Sequence, residues 1–129
     1  MEYRILGRTG LRVSAVALGC EGFIHKTPEE VCADFDFAIG HGVNFIDIYS
    51  PNPGAALEGR RGDFVIQGHL CTTWENGQYL RTRDPEKTLA SFDLQLQQLR
   101  TDCLDIGMIH YVDAEADFHR VFGGEIIRI

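Results

Sequence analysis

Thr27-Pro-Glu-Glu-Val-Cys-Ala-Asp-Phe-Asp-Phe-Ala-Ile-Gly-His-Gly-Val-Asn-Phe-Ile-Asp47 holds a helix and then a strand, and its reading decides the fold. Thr27 is an N-cap, Pro28 suits the first helical position, and Glu30 completes a capping box. Val31, Phe35, Ala38 and Ile39 form an apolar stripe of helical period, and the helix should stop near Gly40 or Gly42. Val43–Asp47 is a strand. Upstream, Ala15-Val-Ala-Leu-Gly19 is a short apolar strand, and Met1–Ser14 reads as a hairpin turning around Gly7-Arg-Thr-Gly10.

Downstream the pattern repeats. Tyr49-Ser-Pro-Asn-Pro-Gly54 is a breaker-rich loop, and Ala55–Gly59 allows one or two helical turns. Phe64-Val-Ile-Gln67 is a third strand, followed by a polar and aromatic loop from Gly68 to Arg83 that includes Trp74 and Tyr79. Asp84 caps a second long helix, with Pro85 at its first position and an apolar repeat of Leu89, Phe92, Leu96 and Leu99. Leu104-Asp-Ile-Gly-Met-Ile109 is a fourth strand, and Ala114–Ile129 reads as a loop with part of another helix.

Apolar strands separated by helices call for an α/β fold with a parallel sheet and right-handed crossovers. The functional face of such a sheet lies at the carboxyl ends of its strands. Cys20, Asp47, Gln67, His69 and His110 stand at or just beyond those ends, so a site is sought there.

The 129 residues match one domain of about 100–150 residues, and 44% of them are apolar, enough for a core without disulfides or metal. The net charge of -7 argues against a nucleic-acid or anionic-membrane surface. No apolar run approaches the ~20 residues of a membrane span, and Met1–Arg8 is unlike a signal peptide, so a cytoplasmic protein is expected. Cys20, Cys32, Cys71 and Cys103 form no C-x-x-C pair and read as reduced thiols.

Three stretches together resemble the aldo-keto reductase family: Tyr3-Arg-x-Leu-Gly7-x-Thr-Gly-Leu11-x-Val-Ser14, Gly42-Val-Asn-Phe-Ile-Asp47, and Leu99-x-Thr-Asp-x-Leu-Asp105-Ile-x-Met-Ile-His110. The resemblance implies a (β/α)8 TIM barrel that reduces small carbonyl substrates with NADPH. Such a barrel takes about 250 residues, so residues 1–129 would be its N-terminal half, with the hairpin at 1–14 and about four β/α units at 15–129. The family uses Asp, Tyr, Lys and His. Asp47 and His110 match the Asp and the His; Asn52 stands at the Tyr position and His69 at the Lys position, while Tyr49 lies nearby out of register. Gly19 and Asp47 are the positions offered to the NADP cofactor, whose phosphates the family holds through loops late in the barrel. No G-x-G-x-x-G occurs. The stretches Asp47-Ile-Tyr-Ser-Pro-Asn-Pro53 and Gln67-Gly-His-Leu-Cys-Thr72 resemble a divergent, iron-sulfur-associated branch, without its cysteine-rich tail.

Carbonyl reduction needs an acid for the developing alkoxide. Asn52 cannot serve, because an amide does not give up a proton near neutrality. An imidazole can, so a His-based acid, His69 or His110, supported by Asp47 or Tyr49, is expected. The competing structural reading has His69 bonded to a backbone carbonyl and Asp47 capping a loop amide. Cys20, Asp47, His69, Cys71 and His110 also suit zinc or iron by type, but their spacing is not diagnostic and no metal is assigned. His25, His41 and His119 read as solvent-exposed, and Trp74 and Tyr79 as cover or as a substrate mouth. The alternative to an enzyme is a non-catalytic half-barrel whose open sheet edges pair with a second copy or with a missing C-terminal half. The missing C-cap at Gly124–Ile129 and the abrupt Pro53-Gly54 junction favour a truncated or interrupted chain.

Overall fold

The computed structural model describes residues 1–49, 53–124 and 126. Its centre is a four-stranded parallel sheet of β3 (Leu18–Gly19), β4 (Phe45–Asp47), β5 (Val65–Leu70) and β8 (Ile106–Ile109), each strand lying beside the one before it. Helices α1 (Pro28–Gly40), α2 (Gly54–Leu57) and α3 (Pro85–Leu99) make the crossovers, and α4 (Glu115–Phe122) follows β8. This sequential parallel order is that of a partial (β/α)8 barrel.

The helix starts follow from their caps. The Thr27 hydroxyl accepts from the Glu30 amide and the Glu30 carboxylate accepts from the Thr27 amide, which closes the capping box of α1. Asp84 accepts from the Glu86 and Lys87 amides at the start of α3. Antiparallel β1 (Tyr3–Ile5) and β2 (Arg12–Ser14) form the expected hairpin, docked on the amino end of β4 by Tyr3 Oη to the Gly42 carbonyl (2.8 Å) and by the Asn44 amide, which accepts from Ser14 N and donates to the Arg12 carbonyl.

Two expectations need correction. Of Ala15–Gly19 only Leu18 and Gly19 pair as a strand, because the chain before them is taken up by the hairpin: Ala15 N donates to Glu2 O, and the Ser14 hydroxyl to Val16 O. The segment from Gly68 to Arg83 is not a loop. β5 runs on to Leu70, and an antiparallel hairpin of β6 (Thr72–Glu75) and β7 (Gln78–Arg81) follows, turning at Asn76 and Gly77, both with positive φ.

Alternation along the strands sorts the two faces of the sheet. Ile46 and Ile66 pair in register and pack with Phe35, Val31, Leu57 and Leu99 from the helices. Gly68 is on the same face, where a Cβ would meet Leu104 Cδ1 at 2.2 Å, so only glycine admits this close packing. Asp47, Gln67, His69, Met108 and His110 therefore fall on the opposite face. At the amino end, Arg61 ties the Phe64 and Cys103 carbonyls to the Asp105 carboxylate (2.8 Å), which also accepts from Ile66 N.

Among the described residues β8 pairs with β5 alone. Beside it Leu70, Leu89, Phe92, Leu104, Ile109 and Ile126 line an apolar groove of about 470 Å³. Leu89 of the expected apolar repeat is exposed, while Thr88, Gln95 and Leu99 are the buried positions of α3. None of the helices is long and apolar enough to cross a membrane among the described residues.

Phe35 is fully buried between the rings of Phe23 and Phe64 (5.9 and 4.9 Å), whereas Phe37 on the same helix is 68% exposed. Phe35→Ala is expected to cost about 3–5 kcal/mol by transfer and cavity terms. Phe37→Ala should stay within about 0.5 kcal/mol. Chemical denaturation of both variants checks the contrast, and equal losses would contradict this packing.

Candidate active site

Parallel register sets the site. Asp47 at the end of β4 lies beside Gln67 of β5; His69 stands two residues farther along, beside Met108 of β8, and His110 follows two residues after Met108. The period of two points all five to one face at the carboxyl end of the sheet. Two close contacts make this a connected chain. His69 Nε2 lies 3.0 Å from Asp47 Oδ1, and His69 Nδ1 lies 2.8 Å from His110 Nδ1. Gln67 donates to the same Asp47 oxygen at 2.9 Å and approaches Met108 Sδ at 3.6 Å.

The network assigns the protons. An ionised carboxylate only accepts, so His69 Nε2 carries a hydrogen toward Asp47. When His69 is neutral it offers the lone pair of Nδ1, to which His110 Nδ1–H donates. His110 Nε2 is left as the terminal atom of the chain, a base when His110 is neutral and an acid when it is protonated.

An ionised Asp47 supports the placing of the hydrogen on His69 Nε2. Burial alone would push the Asp47 carboxyl up, but the hydrogen bonds from His69 and Gln67, with the charges of His69 and His110, outweigh it and hold the group below the ordinary carboxylate range. Burial and then the charge of His69 push His110 below the ordinary imidazole range, against Asp47 and Asp113.

His69 is held on every side. The Gln95 side chain accepts from its backbone N (3.2 Å) and donates to its backbone O (2.7 Å). Tyr79, delivered by the β6–β7 hairpin, stacks on its ring at 4.9 Å, and Tyr49 meets the ring edge-on at 6.3 Å. Tyr49, Trp74 and Tyr79 contact one another edge-to-face at 5.0–5.6 Å, an aromatic wall beside the imidazoles. Burial, with Asp47 and Tyr49 near, pushes the Tyr79 phenol well up, so it stays protonated.

The structure thus brings together Asp47, His69, His110 and Tyr49, while Asn52 lies outside the described residues. The His69 ring meets two side chains, Asp47 and His110, and not the backbone carbonyl of the competing reading. Cys20 is fully buried, and burial with the charges of Asp47 and Asp34 raises its thiol to about 12, leaving it a neutral core residue. Cys71 is buried and raised as well. Among the described residues no group of three His, Cys, Asp or Glu side chains is arranged to hold a metal ion. His25, His41 and His119 are exposed, as expected.

Gln95 was missed in sequence, though a buried polar residue in phase with Thr88 and Leu99 on α3 is its signal. Gln67 and Met108 follow from alternation once the register is known. Tyr79 is reachable through Asn76-Gly77, which marks a hairpin turn between alternating residues.

A dinucleotide needs a cradle for its phosphates, and helix N-termini are the ready-made ones. Those of α1 and α3 are closed by Thr27 and by the carboxylate of Asp84, and the buried Arg83 is committed to Asp117 at 2.6 Å. Gly19 has nothing within 4 Å of a Cβ position and forms no cradle. The N-terminus of α4 has no side-chain cap but carries Glu115 and Asp117 in its first turn, which repel phosphate, so the described residues do not fit the phosphates.

The ionised form of Asp47 is favoured by folding, so its contribution to stability is present above the unfolded pKa of about 4 and is lost as pH falls through the lower folded value. The stability difference between wild type and Asp47→Asn should hold steady above about pH 5 and shrink below about pH 4. Denaturation series across this range check it; a difference that persists unchanged into acid would contradict the hydrogen-bonded carboxylate.

No family model matches the chain. It is 28% identical over 120 residues to the uncharacterized oxidoreductase YqkF of Bacillus subtilis, covering 85% of this chain and 39% of the relative. A second B. subtilis protein, the uncharacterized oxidoreductase YrpG, is 28% identical over 142 aligned positions, covering 95% and 44%. The solved Pseudomonas aeruginosa protein PA4992, assigned to the aldo-keto reductases, superposes with a TM-score of 0.84 at 26% identity over 98% of this chain and 52% of its own. The aldo-keto reductase of Bacillus halodurans in its holo form gives 0.75 at 23% identity over 91% and 43%, a likeness of fold. The chain spans about two-fifths of the length of these curated relatives and about half of the Pseudomonas structure. Its sequential parallel β/α units, its carboxyl-end site and these likenesses agree: the chain is similar to aldo-keto reductases and has the fold of part of a (β/α)8 barrel of that kind.

Proposed function

We propose that this chain supplies the proton-handling half of an NADP-linked carbonyl reductase, with His110 as the acid in place of the family's tyrosine. The observation that carries this reading is the continuous chain from Asp47 through His69 to His110, ending at an imidazole nitrogen. NADPH, when bound, supplies the hydride, and by likeness to the family its phosphates would be held by residues outside 1–129.

The chain's own residues account for the proton. As the carbonyl oxygen gains negative charge, protonated His110 gives it the hydrogen on Nε2 and becomes neutral, with its Nδ1–H still directed at His69. Asp47 remains ionised, fixes the His69 tautomer and stabilises positive charge on the imidazole pair. Recharging needs one proton from solvent at His110 Nε2. The 2.8 Å contact also lets the imidazole pair share that proton between them. Tyr49, Trp74 and Tyr79 offer flat apolar walls suited to a small carbonyl substrate. Cytoplasmic location belongs to the same proposal, since that compartment supplies NADPH.

The free edge of β8 and its apolar groove favour association with further strands, from the rest of a longer chain or from a second copy. The half-barrel acting by association alone is the second reading, and NADPH titration separates the two, since only a complete reductase should bind it.

In the full chain, His110→Gln keeps hydrogen-bonding capacity but cannot exchange a proton near neutrality. It is expected to lower kcat for carbonyl reduction by roughly 10²–10⁴-fold with little change in the KM for NADPH. A loss smaller than threefold would remove His110 from the role of acid.

A further inference from the structure

The relay needs the His110 ring held within hydrogen-bonding distance of His69, and His110 follows the last residue of β8, where the pairing with β5 ends. Its amide donates to the Leu70 carbonyl at 3.1 Å, and beyond it Tyr111 adopts a left-handed conformation with φ of 50°. For a bulky non-glycine residue this is strained and persists only where the surroundings impose it. Arg83 lies against this turn. It stands between the end of β7 and the cap of α3, and its side chain is 6% exposed. Its Nη2 reaches the His110 carbonyl at 2.8 Å and the Tyr111 carbonyl at 2.6 Å, the two acceptors on either side of the strained residue's amide. Asp117 of α4 grips the other side of the fork, Oδ1 on Nε at 2.8 Å and Oδ2 on Nη2 at 2.6 Å, and Nη1 donates to the Thr82 carbonyl.

A buried guanidinium is costly unless its donors are satisfied. Here the satisfaction is directed: one carboxylate neutralises the charge, Nη1 donates to Thr82, and the His110 and Tyr111 carbonyls share the Nη2 hydrogen that Asp117 leaves. The planar fork cannot turn without losing several bonds together. With its backbone fixed, His110 presents Nδ1 to His69 while its ring meets the Tyr111 ring edge-on at 3.9 Å.

We propose that Arg83, locked by Asp117, is the positioning residue of this site: it holds the strained turn at His110–Tyr111 and thereby fixes the His110 imidazole on His69. The proposal rests on the proton-handling reading for its functional meaning, but its geometry stands apart from whether the protein reduces carbonyls. Arg83 itself touches no reacting atom.

The test is nitrogen NMR of the histidine rings in the full chain, free of substrate. Wild type should show neutral His110 predominantly as the Nδ1–H tautomer. Arg83→Lys keeps the charge near His69, Asp47 and Asp113 but loses the fork; Asp117→Asn keeps the shape but releases the lock. Both are expected to lose the Nδ1–H preference of His110, while His69, held by Asp47 and Gln95, keeps its Nε2–H form. A purely structural role would lower the melting temperature and leave the ring signals unchanged. If Arg83→Lys does not fold, Asp117→Asn carries the test. Unchanged His110 signals in a folded variant would overturn the clamp; a protein with the expected shifts but no reductase activity would overturn the proposed function and leave the clamp intact.

Discussion

A single carboxylate organises the described half of this barrel's mouth. Asp47 is partly withdrawn from water, which disfavours its charge, and the charge survives because Gln67 and His69 both donate to it. That requirement fixes the hydrogen of His69 on Nε2, leaves the lone pair on Nδ1, and so dictates the tautomer of His110 two strands away. Remove the charge and nothing sets the direction of the chain. The scaffolding follows the same logic: Gln95 closes both backbone groups of His69, Tyr79 covers its ring, and Arg83 holds the backbone beside His110. Each of these groups reaches the relay from a different element, α3, β7 and the segment before α3, so local folding completes the site only when the hairpin and α3 have packed on the sheet.

Under the proposed function, the residues that stand by resemblance at the family's lysine and tyrosine positions have a consistent physical sense. Where the family places a lysine, His69 offers a group that can both accept and donate, linking Asp47 to His110 where an ammonium could only donate. Where the family places the acidic tyrosine, Asn52 cannot deliver a proton, and the nearby Tyr79 is held too firmly protonated to take over. In the proposed reaction His110, whose Nε2 is uncommitted among the described residues, takes this role.

Much of the fold was legible in the sequence because it is written locally. Thr27, Pro28 and Glu30 define the start of α1 by adjacent backbone groups, and Asp84 with Pro85 does the same for α3; these signals need no tertiary information. Asp47, His69 and His110 were recognisable as carboxyl-end residues of successive strands. Their joining into one chain was not, since a 2.8 Å contact between residues 41 positions apart depends on strand register. Arg83 and Asp117 carried no sequence signal, because an arginine before a helix cap is ordinarily exposed. The β6–β7 hairpin was overlooked although Asn76-Gly77 announces it, its polar composition having been read as loop. On α3 the apolar repeat through Leu89 and Phe92 did not mark the buried face; those side chains line the groove beside β8, which pairs with β5 alone among the described residues.

In the proposed reaction an imidazole, not a phenol, protonates the product. The pH dependence of kcat for carbonyl reduction by the full chain, set beside the NMR titration of His110, tests it most directly. Because the protonated ring is the acid and burial with His69 holds its pKa below the ordinary imidazole value of about 6.5, the rate should fall as pH rises through a midpoint below that value and coincide with the His110 titration. A rate that is flat through this range and falls only near pH ~10, where a phenol titrates, would contradict the account.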